Sequence, residues 1–438
     1  MNSNPMHYIS TRSPQHRVLL SEAIAQGIAP DGGLYVPESF PSFVPYDFEG
    51  LTELAEIGER LIAPFVAGDP LAHELGAICR EAFNFPAPLV PIPEAPAPVS
   101  VLELFHGPTS AFKDFGARFL AEAMERIRHG STGKLTILVA TSGDTGGAVA
   151  AAFHGRPWVN VVVLYPKGLV SQRQAQQLAC WGGNVRTFAV RGTFDDCQRI
   201  VKEAFRDPSL MQSHQLSSAN SINVGRLLPQ MVYYAKAGLE LWRQMGRRAN
   251  FIIPAGNLGN SLACVWARHV GLPIGEIVLA TNANQTITEF LRTGEWSPRA
   301  SVATLASAMD VGNPSNMERL RALHPEFDEL QGQIGASSVD DIEIRATIRR
   351  DAHELGRVWC PHTATAAKAY RRLLARGARG DWVIVATAHP AKFNDIVEPQ
   401  IGRTVDIPPN LARLLELPRQ EMELEPTLDA LRAQLQDR

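Results

Sequence analysis

Lys113 stands between Phe112 and Phe115 in the run Phe105-His106-Gly107-Pro108-Thr109-Ser110-Ala111-Phe112-Lys113-Asp114-Phe115-Gly116. Gly107-Pro108 marks a turn, so Lys113 follows a loop and precedes a helix-forming stretch. A lysine held against aromatic surface loses hydration, which depresses its pKa and frees the amine as nucleophile or base. Taken alone, the same pattern also suits a surface lysine snorkelling over two apolar anchors. A second candidate is the loop Ser142-Gly143-Asp144-Thr145-Gly146, between an apolar run and a helix-forming one. Its glycines permit close backbone approach, and its N–H groups and hydroxyls suit a carboxylate or phosphate. A plain strand-to-helix turn with a capping Ser or Asp has the same appearance. The third is Gly256-Asn257-Leu258-Gly259-Asn260, in which two glycines three apart open a helix with exposed N–H groups, a phosphate cradle. Two such loops and a candidate activated lysine in one α/β chain are more than ordinary turns would supply, and a small anionic substrate is compatible with them.

These loops need rigid elements behind them. From about Val101, short apolar runs alternate with amphipathic stretches: strands are expected at Thr136–Thr141, Val159–Tyr165, Val185–Val190, Phe251–Pro254, Ile277–Ala280 and Trp382–Ala386. Helices are expected at Gly147–Phe153, Ser171–Cys180, from a Thr193 cap to Phe205, and at Asn260–Val270. Strands alternating with helices imply parallel sheets covered on both faces, with ligands at the carboxyl ends of the strands. Leu51–Ala67 has helical spacing, Pro86–Pro98 reads as a linker or extended chain between domains, and the tail from Glu421 reads as polar helix. The expected division is an N-terminal mixed or helical domain (1–98), a first α/β domain with Lys113 and the Ser142–Gly146 loop (99–225), and a second with Gly256–Asn260 (226–438).

The chain has 438 residues, 20% charged and 45% hydrophobic, with a net charge of −3. Mixed charge without a basic face argues against nucleic acid or an acidic membrane surface as partner. Five scattered cysteines without a CxxC pair argue against a zinc site or disulfide framework and for buried free thiols in a reducing compartment. No metal site is expected. Met1–Arg17 has no apolar core of a secretory signal, and no apolar run is long enough for a membrane span, so a cytoplasmic protein is expected. Gly130-Ser131-Thr132-Gly133-Lys134 lacks P-loop spacing and has Leu135 where a metal-binding hydroxyl is required. Composition leaves the oligomeric state open.

The ordered runs FHGPTSAFKDFGARF, ATSGDTGGAVAAAF, SSANSINVGR, PAGNLGN and ATAHPAKF resemble the threonine synthase family. Tyr8–Arg12 and Ala29–Tyr35 resemble its long form, so the likeness spans nearly the whole chain. The resemblance implies a pyridoxal-phosphate enzyme of fold type II, with two parallel-sheet α/β domains of the tryptophan synthase β-subunit type. It further implies that O-phospho-L-homoserine and water become L-threonine and phosphate. By its motifs, Lys113 is the Schiff-base lysine, and Gly256, Asn257, Leu258, Gly259 and Asn260 form the cofactor-phosphate loop. Thr387 faces the pyridine nitrogen, and Asp144 lies near the ring hydroxyl. Ser142, Gly143 and Thr145 meet the substrate carboxylate, and Ser218, Asn220, Ser221 and Asn223 are further substrate-binding groups. Lys167, Arg173 and Arg226 are candidates to clamp the substrate phosphate. Two rivals stay open on the residues: a related phospho-lyase giving 2-oxobutanoate, and a non-catalytic phosphate-binding protein.

Overall fold

The computed structural model describes residues 4–436. Near the amino terminus, β1 (Tyr8–Ser10), β2 (Arg17–Val18) and β3 (Tyr35–Pro37) form a small antiparallel sheet in the order β2-β1-β3. The helix over the apolar stripe of residues 51–67 is shorter than its spacing suggests. It spans Leu54–Ile62 and gives way to a 3-10 turn at Ala63–Val66, because Pro64 has no N–H to continue the ladder.

Beyond it run β4 (Leu89–Pro91), β5 (Val99–Glu103), β6 (Leu135–Ala140), β7 (Val159–Pro166), β8 (Val185–Val190) and β9 (Leu216–Ser217). Then come β10 (Ala249–Pro254), β11 (Ile274–Thr281), β12 (Ile334–Ser338), β13 (Trp382–Ala386) and β14 (Glu421–Leu424). One sheet has the order β12-β11-β10-β13-β5-β4, parallel except for β4, and the other has the order β14-β8-β7-β6-β9 and is all parallel. Strands such as β6 and β13 are buried on both faces, which is why their sequences are continuous apolar runs rather than alternating ones.

Pairing places three segments that the sequence alone did not position. Leu89–Pro91, within the proline-rich stretch, is an edge strand antiparallel to β5, a position where a missing N–H is tolerated. Glu421–Leu424, expected as helix, is a strand seated beside β8, and helix begins only at Leu428. Sheet membership also crosses the expected domain limits: β5 joins β13 across residue 225, and β14 returns to the sheet of β6–β9.

The two large sheets present the carboxyl ends of β5, β6, β9, β10 and β13 to one cleft of about 1740 Å³. Among the described residues, no helix is long and apolar enough to cross a membrane, and all five cysteines are buried and free.

Candidate functional site

Lys113 opens the helix Lys113–Ile127, and the turn before it is built by its own motif. Asp114 is buried and accepts from the Thr109 N–H (2.8 Å) and the Thr109 hydroxyl (2.7 Å). A Cβ on Gly107 would lie 2.5 Å from the Asp114 carboxylate, so residue 107 must be glycine for that closure. The lysine turn is stitched to the loop after β13: Ala111 bridges Ala388, the Phe112 N–H donates to Thr387 O (2.8 Å), and the His389 N–H donates to Ser110 O (3.0 Å). Lys113 and Thr387 are thereby held in register by backbone alone.

The Lys113 amine sits 5.0 Å from the centre of the Phe112 ring, opens into the cleft, and has no hydrogen bond among the described residues. Burial lowers its pKa to about 8; Asp144 opposes the shift, and Arg226 and Lys392 reinforce it. A neutral amine is the reactive form toward a carbonyl. Capture of added cofactor by the apoprotein should therefore accelerate as pH rises through about 8, well below the 10.5 of an ordinary lysine. Stopped-flow absorbance against pH checks this, and a half-rise near 10 would refute an activated amine.

Asp144 begins the helix Asp144–Phe153, three residues earlier than the sequence pattern places it. Behind it lies Lys392, fully buried, whose ammonium is 2.7 Å from Asp144 Oδ1 and also donates to Thr109 O (2.7 Å). Gln174 Nε2 donates to the same carboxylate at 3.2 Å. Burial pushes the Asp144 pKa up, yet Lys392 and then Lys113 outweigh it and hold it at about 2. Asp144 is thus an ionised carboxylate in a dry setting. His362, on the same cleft, is driven to about 4 by burial and is neutral, its Nε2 accepting from the Ala308 N–H (3.1 Å). Ala386-Thr387-Ala388-His389-Pro390 stood out in the sequence, whereas nothing local marked Lys392 as the partner of so distant an aspartate.

Across the cleft, the 256–260 loop leaves β10 and turns into the helix Gly259–His269, with Leu258 in a left-handed conformation (φ 63°). A Cβ on Gly256 would meet the Met309 backbone at 2.8 Å, whereas one on Gly259 would be 3.6 Å from its nearest neighbour, so only Gly256 is sterically obligatory. Asn257 is pinned on both sides: Nδ2 donates to Ser221 Oγ (2.6 Å), and Oδ1 accepts from the Ser315 N–H (2.6 Å). Asn316 Nδ2 donates to Asn257 O (3.0 Å), and Asn316 is itself held by the buried Arg319 (2.7 Å). Arg319 also donates to Tyr35 O and Ile222 O, so one guanidinium joins the small sheet to two cleft loops. Neither Asn316 nor Arg319 carried any sequence signal.

The cleft gathers Lys113, Ser142, Asp144, Thr145, Ser218, Asn220, Ser221, Gly256, Asn257, Leu258, Gly259, Asn260 and Thr387. Two expected contact residues lie outside its lining. Gly143 has φ 140°, and its N–H donates to Thr141 Oγ1, so it shapes the turn. Asn223 is fully buried: its Nδ2 donates to Ile24 O and Ser218 O, and its Oδ1 accepts from the Gly225 N–H, which makes it a helix cap. Of the three basic candidates, Arg226 lines the cleft, deeply buried, with Nε unpartnered. Lys167 pairs instead with the exposed Glu423, and Arg173 donates to Ala391 O.

Three buried polar groups on the cleft lack a partner among the described residues: the Thr387 hydroxyl, the Asn260 amide nitrogen and Arg226 Nε. An unmade buried hydrogen bond costs about 1–3 kcal/mol, so such pairs mark places where a ligand supplies the missing partner. A group with a ring nitrogen at one end, a phosphate at another and an aldehyde for Lys113 fits this donor set.

Comparison with known proteins agrees. Residues 81–388 match the family described as pyridoxal-phosphate dependent enzyme, residues 7–83 the threonine synthase N terminus, and residues 363–435 the threonine synthase C-terminal region. The chain is 39% identical to the threonine synthase of Haemophilus influenzae, covering 98% of this chain and 99% of that one. It is 40% identical to that of Escherichia coli, with 98% of each covered. The crystal structure of the Escherichia coli threonine synthase superposes with a TM-score of 0.89 at 38% identity, over 98% of this chain and 99% of that one. A threonine synthase structure from Brucella melitensis with bound PLP gives 0.90 at 33% identity, over 98% of each chain. With residues 7–83, 81–388 and 363–435 all matched and relatives of about 40% identity covering nearly the whole chain, the chain belongs to the threonine synthase family.

Proposed function

We propose that this chain converts O-phospho-L-homoserine and water into L-threonine and phosphate with pyridoxal 5'-phosphate as cofactor, Lys113 being the lysine that carries it. The observation that supports these residue roles best is the convergence on one cleft of the Lys113 amine with two buried groups that lack a partner among the described residues, the Thr387 hydroxyl and the Asn260 amide nitrogen.

When bound, the cofactor supplies an electron sink conjugated to the substrate's amino nitrogen. The chain's residues do the rest. Lys113, released by the incoming amino group, moves protons at substrate Cα and Cβ; an amine with a pKa near 8 serves as acid and base near neutrality. Asp144, ionised by Lys392, would accept from the ring hydroxyl and favour its protonated form, while Thr387 would offer only a neutral hydroxyl to the ring nitrogen. Ser142 and Thr145, at the amino end of the helix Asp144–Phe153, hold the substrate carboxylate with help from the helix N–H groups. The backbone of 256–260 with Asn257 and Asn260 cradles the cofactor phosphate. Ser218, Asn220 and Ser221 face the substrate, and Arg226 stands by for its departing phosphate. We place this activity in the cytoplasm, where five free thiols stay reduced.

Incubating the purified holoenzyme with O-phospho-L-homoserine should release one phosphate per L-threonine formed. 2-Oxobutanoate in place of threonine would make the protein a phospho-lyase, and no phosphate release would end the proposal.

A further inference from the structure

Asn260 is the second residue of the helix Gly259–His269 and lines the cleft with its side chain 94% buried. Its Oδ1 accepts from two phenols at once, Tyr233 (2.6 Å) and Tyr234 (2.8 Å), while its Nδ2 has no partner among the described residues. Both tyrosines are fully buried on the helix Met231–Met245 and lie outside the cleft lining.

We infer that Tyr233 and Tyr234 are positioning residues that lock the Asn260 amide with its N–H groups toward the cofactor phosphate. This inference rests on the reading of 256–260 as the phosphate loop.

An asparagine amide can be turned end for end at almost no change in shape, so its orientation has to come from its neighbours. The turned form would aim a carbonyl oxygen at a phosphate. The atom facing both phenols is Oδ1, which accepts from Tyr233 at 2.6 Å and from Tyr234 at 2.8 Å, both within the O–H···O range. Gln230 offers Tyr233 a competing acceptor, but at 3.0 Å, and its own Nε2 is committed to Arg226 O (2.6 Å). Tyr234 has no such competitor and donates to Oδ1 alone. A turned amide could donate to the phenol oxygens but would leave the Tyr234 hydroxyl without an acceptor, whereas the orientation shown satisfies both phenols and strands only Nδ2 unless an acceptor arrives from the cleft. Burial also raises both phenol pKa values well above 10, so each keeps its proton to donate.

The test measures pyridoxal phosphate affinity by equilibrium dialysis, the phosphorus resonance of the bound phosphate, and the melting temperature of each apoprotein. Either Tyr233→Phe or Tyr234→Phe alone leaves one donor and should weaken cofactor binding less than about threefold. The double variant should lose about ten- to a hundredfold, the span of one charge-assisted hydrogen bond, and shift the phosphorus resonance. Asn260→Ala should lose as much, and adding it to the double variant should cost nothing more. Asn260→Asp keeps shape and capping ability but sets a carboxylate oxygen against the phosphate, so it should lose more than about a hundredfold in a folded protein. This variant decides the matter if the double variant fails to fold. Asn260→Asp with parental affinity overturns the inference. So does a double variant that melts lower yet binds within threefold while Asn260→Ala binds poorly. If Gly256→Val and Asn260→Ala both bind normally, the phosphate-loop reading itself falls and takes the inference with it.

Discussion

Lys113→Ala is expected to lose at least about four orders of magnitude in turnover, since one residue supplies both the covalent anchor and the proton carrier. Borohydride reduction of the parent should fix the cofactor to the peptide containing Lys113, and the variant should give no such adduct. A cofactor mapped to another lysine would remove the central assignment. The same substitution carries a second, opposite signature. Burial depresses the Lys113 pKa from 10.5 to about 8, so the folded state holds a poorly solvated ammonium below pH 8. Parent stability should accordingly rise with pH through the interval from 8 to 10.5, where folding favours the neutral amine. At neutral pH the alanine apoprotein should melt no lower than the parent. A gain in stability with a total loss of activity is what an active-site lysine predicts and a surface lysine does not.

Lys392→Met is expected to cost about 3–5 kcal/mol of stability, because it leaves the Asp144 carboxylate buried without its ammonium partner. The pair is almost wholly out of solvent, so water and salt screen it little. Asp144 carries the pH dependence of this pair. Its pKa is lowered from 3.8 to about 2, so the stabilisation it carries is present above pH 3.8 and fades as pH falls through 2. Without Lys392, burial dominates and the carboxyl moves upward, carrying the loss of stability toward neutral pH. The double variant Lys392→Met/Asp144→Asn removes both charges and should recover a large part of the stability. It should not recover the spectrum: with an amide beside the ring hydroxyl, the visible band of the holoenzyme and its titration should shift. Urea denaturation of the three variants and a spectral titration check both halves. A Lys392→Met protein as stable as the parent would show that the pair is not a structural charge couple. Superimposable titrations of parent and Asp144→Asn would reduce Asp144 to a structural partner of Lys392.

Much of the chemistry was legible along the chain because it is carried by local runs. A glycine-rich loop after an apolar strand, or a lysine between phenylalanines after Gly107-Pro108, announces itself within a dozen residues. The buried parallel strands were legible for the same reason, since a strand covered on both faces is a continuous apolar run. What escaped was set by pairing over long separations. The Asp144 carboxylate depends on Lys392, and the Asn257 loop depends on Arg319 and Asn316. Asn223 belongs to the same polar run as Asn220 and Ser221, but folding spends its hydrogen bonds on Ile24, Ser218 and Gly225. Glu421–Leu424 has a polar, helix-compatible composition, yet the open edge of β8 takes it as a strand. Local sequence thus determined which groups could react and which loops could hold anions. Tertiary structure decided which were charged, which were oriented and which were already used up, because charge and hydrogen-bond capacity in a dry interior depend on whichever neighbour the fold delivers.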